Sequence, residues 1–430
     1  MRRRRFMGMG AGLAGALGLS ATTTACGSDA GDDQVVLRLV AAEYGDASDS
    51  GSTERYWNEV VAEFRTRHPQ ILVDVSVIRY DDANAEVTRM VEAGDPPDIA
   101  QISAFADFAE NDRLHPADEL LSLPVMADFV PSIAEAGERL RVQYAMPFAA
   151  SITRFYYNKD LFASAGLDPE TPPRDWDELR EAAVALRTAG VGTPFGLPFA
   201  DDNAHVEAVT WMLSGGGGLT DDFGSYTIDL PANVETFTWL RDEWVAEGLT
   251  GPGSPDRTTR ESVYADFAAG EVGMAIADTL LMRQADVGGV SYGTASMPGI
   301  DGPTPTALGQ ASWVVAFNDS QRREEIGTFL DFVFSTKAVA SFPERYEFLP
   351  VTTSEVDAMN ESDAPDRQRL VPFLDELPAA TFYPVGKVSW AEVAVAFSRG
   401  IGETTRPDSD VGEILGRLQQ EAQAADERTS

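Results

Sequence analysis

The chain holds one cysteine, Cys26, and three histidines, His68, His115 and His205, in 430 residues. A lone thiol closes no internal disulfide, so apolar cores alone must hold the fold. Three scattered histidines without an H-E-x-x-H spacing argue against a zinc hydrolase, and the absence of G-x-S-x-G leaves a serine nucleophile unsupported. No stretch reaches the roughly 20 apolar residues that span a bilayer. Basic residues are scarce: 33 Lys and Arg stand against 69 Asp and Glu, a formal charge of −36. Such a surface repels nucleic acid and anionic headgroups and leaves neutral or cationic ligands open. Gly10-x-Gly12-x-x-Gly15 matches a dinucleotide fingerprint only formally, since no strand precedes it. No Lys-Ser/Thr follows Gly215–Gly218, so that run is no phosphate loop. No cofactor and no metal are expected.

What is present begins at the N-terminus. Arg2–Arg5 is positive, Phe6–Leu19 is apolar, and the small residues Ala21–Ala25 lead to Cys26. That order is an export signal over residues 1–25, followed by a flexible tether at 26–33. Thr23-Thr24-Ala25-Cys26 resembles the bacterial lipobox, with threonine where leucine is usual. The resemblance implies lipidation of Cys26 and a lipid-anchored protein on the outer face of the cell membrane, extracellular or periplasmic. Arg3-Arg4-Arg5-Phe6-Met7 also resembles a twin-arginine signal, so the export route stays open. Cleavage would remove four of the 33 basic residues, leaving 29 against 69 acids. About 405 residues would remain, comfortable for two domains.

Strand-like and helical patterns then alternate. Val35–Val40, Ile71–Ile78 and Asp98–Ile102 have the pattern of strands. Between them fall helices expected over Glu54–Arg67, with Trp57, Val60, Val61 and Phe64 on one stripe, and over Asn84–Glu92. This alternation predicts an α/β fold with mostly parallel sheets flanked by helices. The connection from Ala41 to Thr53 is long for a strand-to-helix loop. Ligands in open α/β sheets bind beyond the carboxyl ends of strands. Glu43, Tyr44, Gln101 and Ser103 are therefore candidate ligand contacts, ahead of the loop acids Asp46 and Asp49. Farther along, Ser151–Asn158 is strand-like, and a helix over Lys159–Ala165 stops at Gly166. Helices follow over Trp176–Arg187, Val206–Leu213 and Val234–Ala246, with a strand at Phe195–Phe199. Phe237, Trp239, Leu240 and Trp244 recur at helical spacing and belong to a core.

From Ile152 the chain runs ITRFYYNKDLFASAGLDPETPPRDWDELREAAVAL. YADFAAGEVGMAI, ALGQASWVVAF and EFLPV follow in order, and PPDIAQIS precedes them. Together these blocks resemble the extracellular solute-binding proteins of ABC importers, in the carbohydrate-binding branch similar to maltose-binding protein. The resemblance implies a two-lobe periplasmic-binding-protein-like fold with a ligand cleft between the lobes. The N-lobe would be 34–149 plus 296–346, and the C-lobe 150–295 plus 347–430. It implies a monomer that is no enzyme, whose partners are a sugar or oligosaccharide and membrane permease subunits. Sugar sites need planar hydrogen-bond partners and aromatic faces. By motif position these would be Ser151, Asn203, His205, Glu207, Asp278, Gln310, Ser312, Trp313 and Trp390. Leu280 stands where many family members carry an aromatic. A polyamine binder of the same fold, using Glu43, Glu207 and Asp278, is the alternative. An exported glycoside hydrolase, with carboxylates about 5 to 10 Å apart, is the more distant one.

Overall fold

The computed structural model describes residues 34–45, 52–200, 203–335 and 337–429. The export signal, Cys26, the tether and the loop acids Asp46 and Asp49 lie outside the described residues. In chain order the strands are β1 (Val35–Glu43), β2 (Ile71–Arg79), β3 (Ile99–Ile102), β4 (Glu138–Arg139), β5 (Val142–Gln143) and β6 (Met146–Ile152). They continue as β7 (Arg154–Asn158), β8 (Thr193–Gly196), β9 (Val272–Ala277), β10 (Tyr292–Ala295), β11 (Leu308–Ala316) and β12 (Thr381–Phe382).

The expected βαβ opening is present. β1 pairs in parallel with β2, Val35 opposite Ile71, and with β3 on its other side. Ser52 caps the intervening helix Thr53–Arg67, accepting from the Arg55 N–H, and Tyr56, Trp57, Val60 and Phe64 form its buried face. The first sheet runs β12-β11-β3-β1-β2, with β6 joining through β11. The second runs β10-β7-β9-β8.

Strand directions are mixed rather than mostly parallel. In the second sheet β7 is antiparallel to both β10 and β9, and only β8 and β9 run in parallel. β11 is likewise antiparallel to β3 and β6. The cause is the way the chain passes between sheets. The stretch predicted as one strand, Ser151–Asn158, is two: β6 ends in the first sheet at Ile152 and β7 begins in the second at Arg154. Thr153 between them donates its N–H to Leu308 O at 3.0 Å. Leu308 opens β11, where the chain returns to the first sheet, so the outgoing and returning crossings lie side by side.

Local signals hold in detail. Asn158 Oδ1 accepts from the Leu161 N–H and caps the next helix, and Gly166 at φ +78° ends it in the left-handed region. The helix expected over Val234–Ala246 is α-helical from Pro231 to Trp239 and then widens into a π turn, Leu240–Val245. Leu240 and Trp244 are fully buried there, as expected, while Trp239 stacks on Trp176 at 4.1 Å.

Two apolar cores result. One gathers Trp57, Phe148, Phe329 and Phe342 around the first sheet and takes in Leu349–Leu377 and the face of the second sheet carrying Val272 and Ala275. The other packs Phe155, Phe195, Trp211 and Trp244 with Phe397 and Leu415 from the C-terminal helices. Phe148 stands at the centre of the first, stacked on Trp57 at 5.3 Å and 4.7 Å from the Phe342 ring. Phe148→Ala is expected to cost about 3–5 kcal/mol, read as a lower denaturation midpoint at unchanged denaturant slope.

Candidate functional site

The carboxyl ends of β1 and β3, the crossings and the start of the helix Trp390–Ile401 meet around one cleft. It has two compartments, of about 300 and 320 Å³, and Tyr80, Asn203, Gln310 and Ala311 line both.

The first compartment is aromatic. Trp390 and Tyr383 stack at 5.0 Å and 18°, with the His205 ring 5.2 Å from Tyr383. Trp313, Phe382, Asn84 and Ser103 complete its wall. Asn84 Oδ1 accepts from the Ser103 N–H at 2.9 Å, fixing the end of β3. His205 Nδ1 meets Ser398 Oγ at 2.8 Å. Burial, with the nearby Arg260 charge, lowers the His205 pKa to about 4, so the ring is neutral at neutral pH.

The second compartment is lined by Glu43, Tyr44, Ser151, Asp278 and Ser312, with Arg260, Leu280 and Phe348. Glu43 Oε1 accepts from the Gly45 and Thr53 N–H groups, each at 2.9 Å. Tyr44 Oη makes a short hydrogen bond with Ser312 Oγ. Asp278 Oδ1 accepts from the Leu280 N–H at 3.0 Å, and its Oδ2 lies 3.6 Å from Arg260 Nη1. Burial raises the Asp278 pKa, and Arg260 opposes that shift. Gln310 and Ser151 face each other across the β11–β6 pairing, at the crossing.

Eleven of the thirteen residues singled out from sequence therefore line one cleft. The other two lie outside its lining. Gln101 is fully buried in β3 and its Oε1 accepts from the Ala42 N–H. Glu207 is fully buried inside the helix Ala204–Ser214, where its Oε1 accepts from Trp211 Nε1 at 2.9 Å. Sequence reasoning did not pick out Tyr80, Asn84, Arg260, Phe348, Phe382 and Tyr383. Tyr80 and Asn84 sit just past the end of β2, so the strand-end rule that selected Glu43 would have reached them. Three residues of the cleft carry polar atoms without hydrogen-bond partners among the described residues: Gln310 at Nε2, Tyr383 at Oη, and Arg260 at Nε and Nη2. A solute with hydroxyls could satisfy them.

The sequence matches the profile of the bacterial extracellular solute-binding protein family over residues 50–340. A protein of Brucella abortus (strain 2308), named only as a binding protein, is 31% identical over 387 residues, spanning 88% of this chain and 89% of its own. The sn-glycerol-3-phosphate-binding periplasmic protein of Salmonella typhimurium (strain LT2) is 26% identical over 273 residues, 58% of this chain and 57% of that protein. Among solved structures, the cyclic alpha-maltosyl-1,6-maltose binding protein of Arthrobacter globiformis shares the fold with a TM-score of 0.77 at 18% identity, over 92% of this chain and 100% of that one.

Beneath the cleft, burial raises the Glu207 pKa to about 8, against the pull of Arg260 and of the Trp211 hydrogen bond. A pKa raised on folding gives a contribution that is complete below the unfolded value, about 4.3, and is lost as pH rises through about 8. Thermal melts of the Glu207→Gln variant from pH 5 to 9 should show a shallower loss of stability with rising pH than the parent. Parallel profiles would remove Glu207 as the source.

Proposed function

The chain belongs to the bacterial extracellular solute-binding protein family, and from that premise we propose that it captures a sugar or oligosaccharide in this cleft and hands it to permease subunits of an ABC importer. The observation that carries the saccharide assignment is the pairing of aromatic faces with unpartnered polar atoms. Trp390 and Tyr383 offer flat apolar surface to a pyranose ring, and Gln310 Nε2 and Tyr383 Oη offer hydrogen bonds to hydroxyls. Asn203, His205, Ser103 and Trp313 would share the first compartment with the ring. Ser151, Ser312, Asp278, Glu43 and Tyr44 would hold its substituents in the second.

The lobes in this proposal are residues 34–149 with 296–346, and 150–295 with 347–430. The stretch Leu349–Leu377 would be the strut between them, since it packs in the core that reaches both sheets. Closure would bend the adjacent crossings at Thr153 and Leu308 while each sheet keeps its own ladder. The protein would act as a monomer without catalysing a reaction. The cleft carboxylates suit that role, because Glu43 and Asp278 each hold backbone N–H groups in place. Lipidation at Cys26 would keep it on the outer face of the membrane. Among the described residues no helix is long and apolar enough to cross a membrane.

A thermal-shift panel of mono-, di- and oligosaccharides, with polyamines alongside, tests the assignment. A solute at 100 times its dissociation constant stabilises by about 2.7 kcal/mol. A shift with saccharides is expected; a shift with polyamines alone would overturn the substrate class. Trp390→Ala should weaken binding of the responding saccharide about two- to tenfold, the worth of a lost stacking contact, and unchanged affinity would assign Trp390 to the core. Cys26→Ala should move the protein from the membrane fraction to the soluble one, and persistent membrane association would sink the lipid anchor.

A further inference from the structure

The two compartments differ in charge. No Asp, Glu, Lys or Arg lines the first. The second holds Glu43, Asp278 and Arg260. Arg260 has Asp278 at 3.6 Å from its Nη1, and its Nε and Nη2 are buried donors without hydrogen-bond partners among the described residues. That pair is close to neutral as a unit, which leaves Glu43. Among the described residues no basic side chain pairs with Glu43 and no donor reaches its Oε2. Its other oxygen is pinned by the Gly45 and Thr53 N–H groups, so the carboxylate is held in place rather than free to turn to solvent.

Three rings line the same compartment. Tyr44 lies 5.3 Å from Tyr80 and 5.4 Å from Phe348, both edge-on. A fixed, unpaired carboxylate among aromatic rings attracts a cation twice, through its charge and through the ring quadrupoles. The acidic chain adds a field that concentrates cations and repels anions.

We infer that the compartment formed by Glu43, Tyr44, Tyr80 and Phe348 receives an ammonium group carried on the solute, making the preferred ligand an amino-substituted saccharide. Its amine sits at Glu43 and its ring at Trp390. The inference rests on the saccharide assignment above, and names the substituent that the cleft selects.

Isothermal titration of the full chain with three probes tests it: the disaccharide of glucosamine, its di-N-acetyl derivative and spermidine. The free-amine disaccharide should bind at least about tenfold more tightly than the acetylated one, a gap of about 1.4 kcal/mol. Raising the salt concentration should narrow that gap. Glu43→Gln keeps an Oε1 acceptor for Gly45 and Thr53, so its melting temperature should match the parent while the gap closes. Phe348→Leu should narrow it in part, which gives a second reading should Glu43→Gln fold poorly. Equal affinity for the two disaccharides would overturn the ammonium subsite and leave the saccharide assignment standing. A gap that survives in a well-folded Glu43→Gln would overturn the role of Glu43. Spermidine binding that Glu43→Gln abolishes, with neither disaccharide bound, would keep the subsite and overturn the saccharide. Failure of both amines to bind would overturn it outright.

Discussion

A single residue separates two sheets. β6 ends at Ile152 and β7 starts at Arg154, so Thr153 alone carries the chain across, and its N–H is tied to Leu308 O on the returning crossing. Each sheet is closed by its own ladder, and a ladder bends at higher cost than the link between two ladders. The closure proposed above would therefore bend where the crossings touch. Arg154 reinforces the spot. It is almost wholly buried and bonds Pro372 O and Glu376, and Glu376 also accepts from the Ser296 hydroxyl at the other crossing. A buried ion pair is costly unless its remaining hydrogen bonds are satisfied; both crossings and the segment 372–376 supply partners here, while Arg154 Nε has none among the described residues.

The cleft follows from that arrangement. The carboxyl ends of β1 and β3 open toward the crossings, and β9 delivers Asp278 from the other sheet. Gln310 and Ser151 stand on the crossing strands themselves. Such a site is built with gaps in its bonding. Gln310 Nε2 and Tyr383 Oη are donors without acceptors among the described residues, and so are Nε and Nη2 of Arg260. Satisfying them is work left to a ligand.

Local physics made much of this legible in the sequence. The Asn158 cap, the Gly166 stop and the buried stripe of Trp57, Val60 and Phe64 depend on neighbours within a few residues, and each is where its pattern places it. The switch at Thr153 was not legible, because apolar residues run through it unbroken and alternation does not say which sheet a strand joins. The second sheet's antiparallel pairings follow from the same crossing. Within the cleft, Glu43 and Tyr44 were reachable because a strand end is a local feature. Arg260, Phe348 and Tyr383 were not, because elements far apart in sequence bring them together. Gln101 and Glu207 show the opposite failure. Their positions neighbour the cleft, yet both side chains turn into packed interior, which depends on orientations that only the assembled sheet and helix define.

Ser151 and Gln310 face one another across the crossing, so whatever touches them touches the joint about which the halves would turn in the proposed closure. A solute that bonds both is held there and also measures how far the joint has closed. Holding and measuring are separate properties. A bulky solute can be gripped firmly while wedging the joint open, and would then occupy the protein without producing the shape that a downstream partner reads. On the proposed function, the range of molecules that bind would be wider than the range that is passed on, and a tight but non-productive solute would act as a blocker.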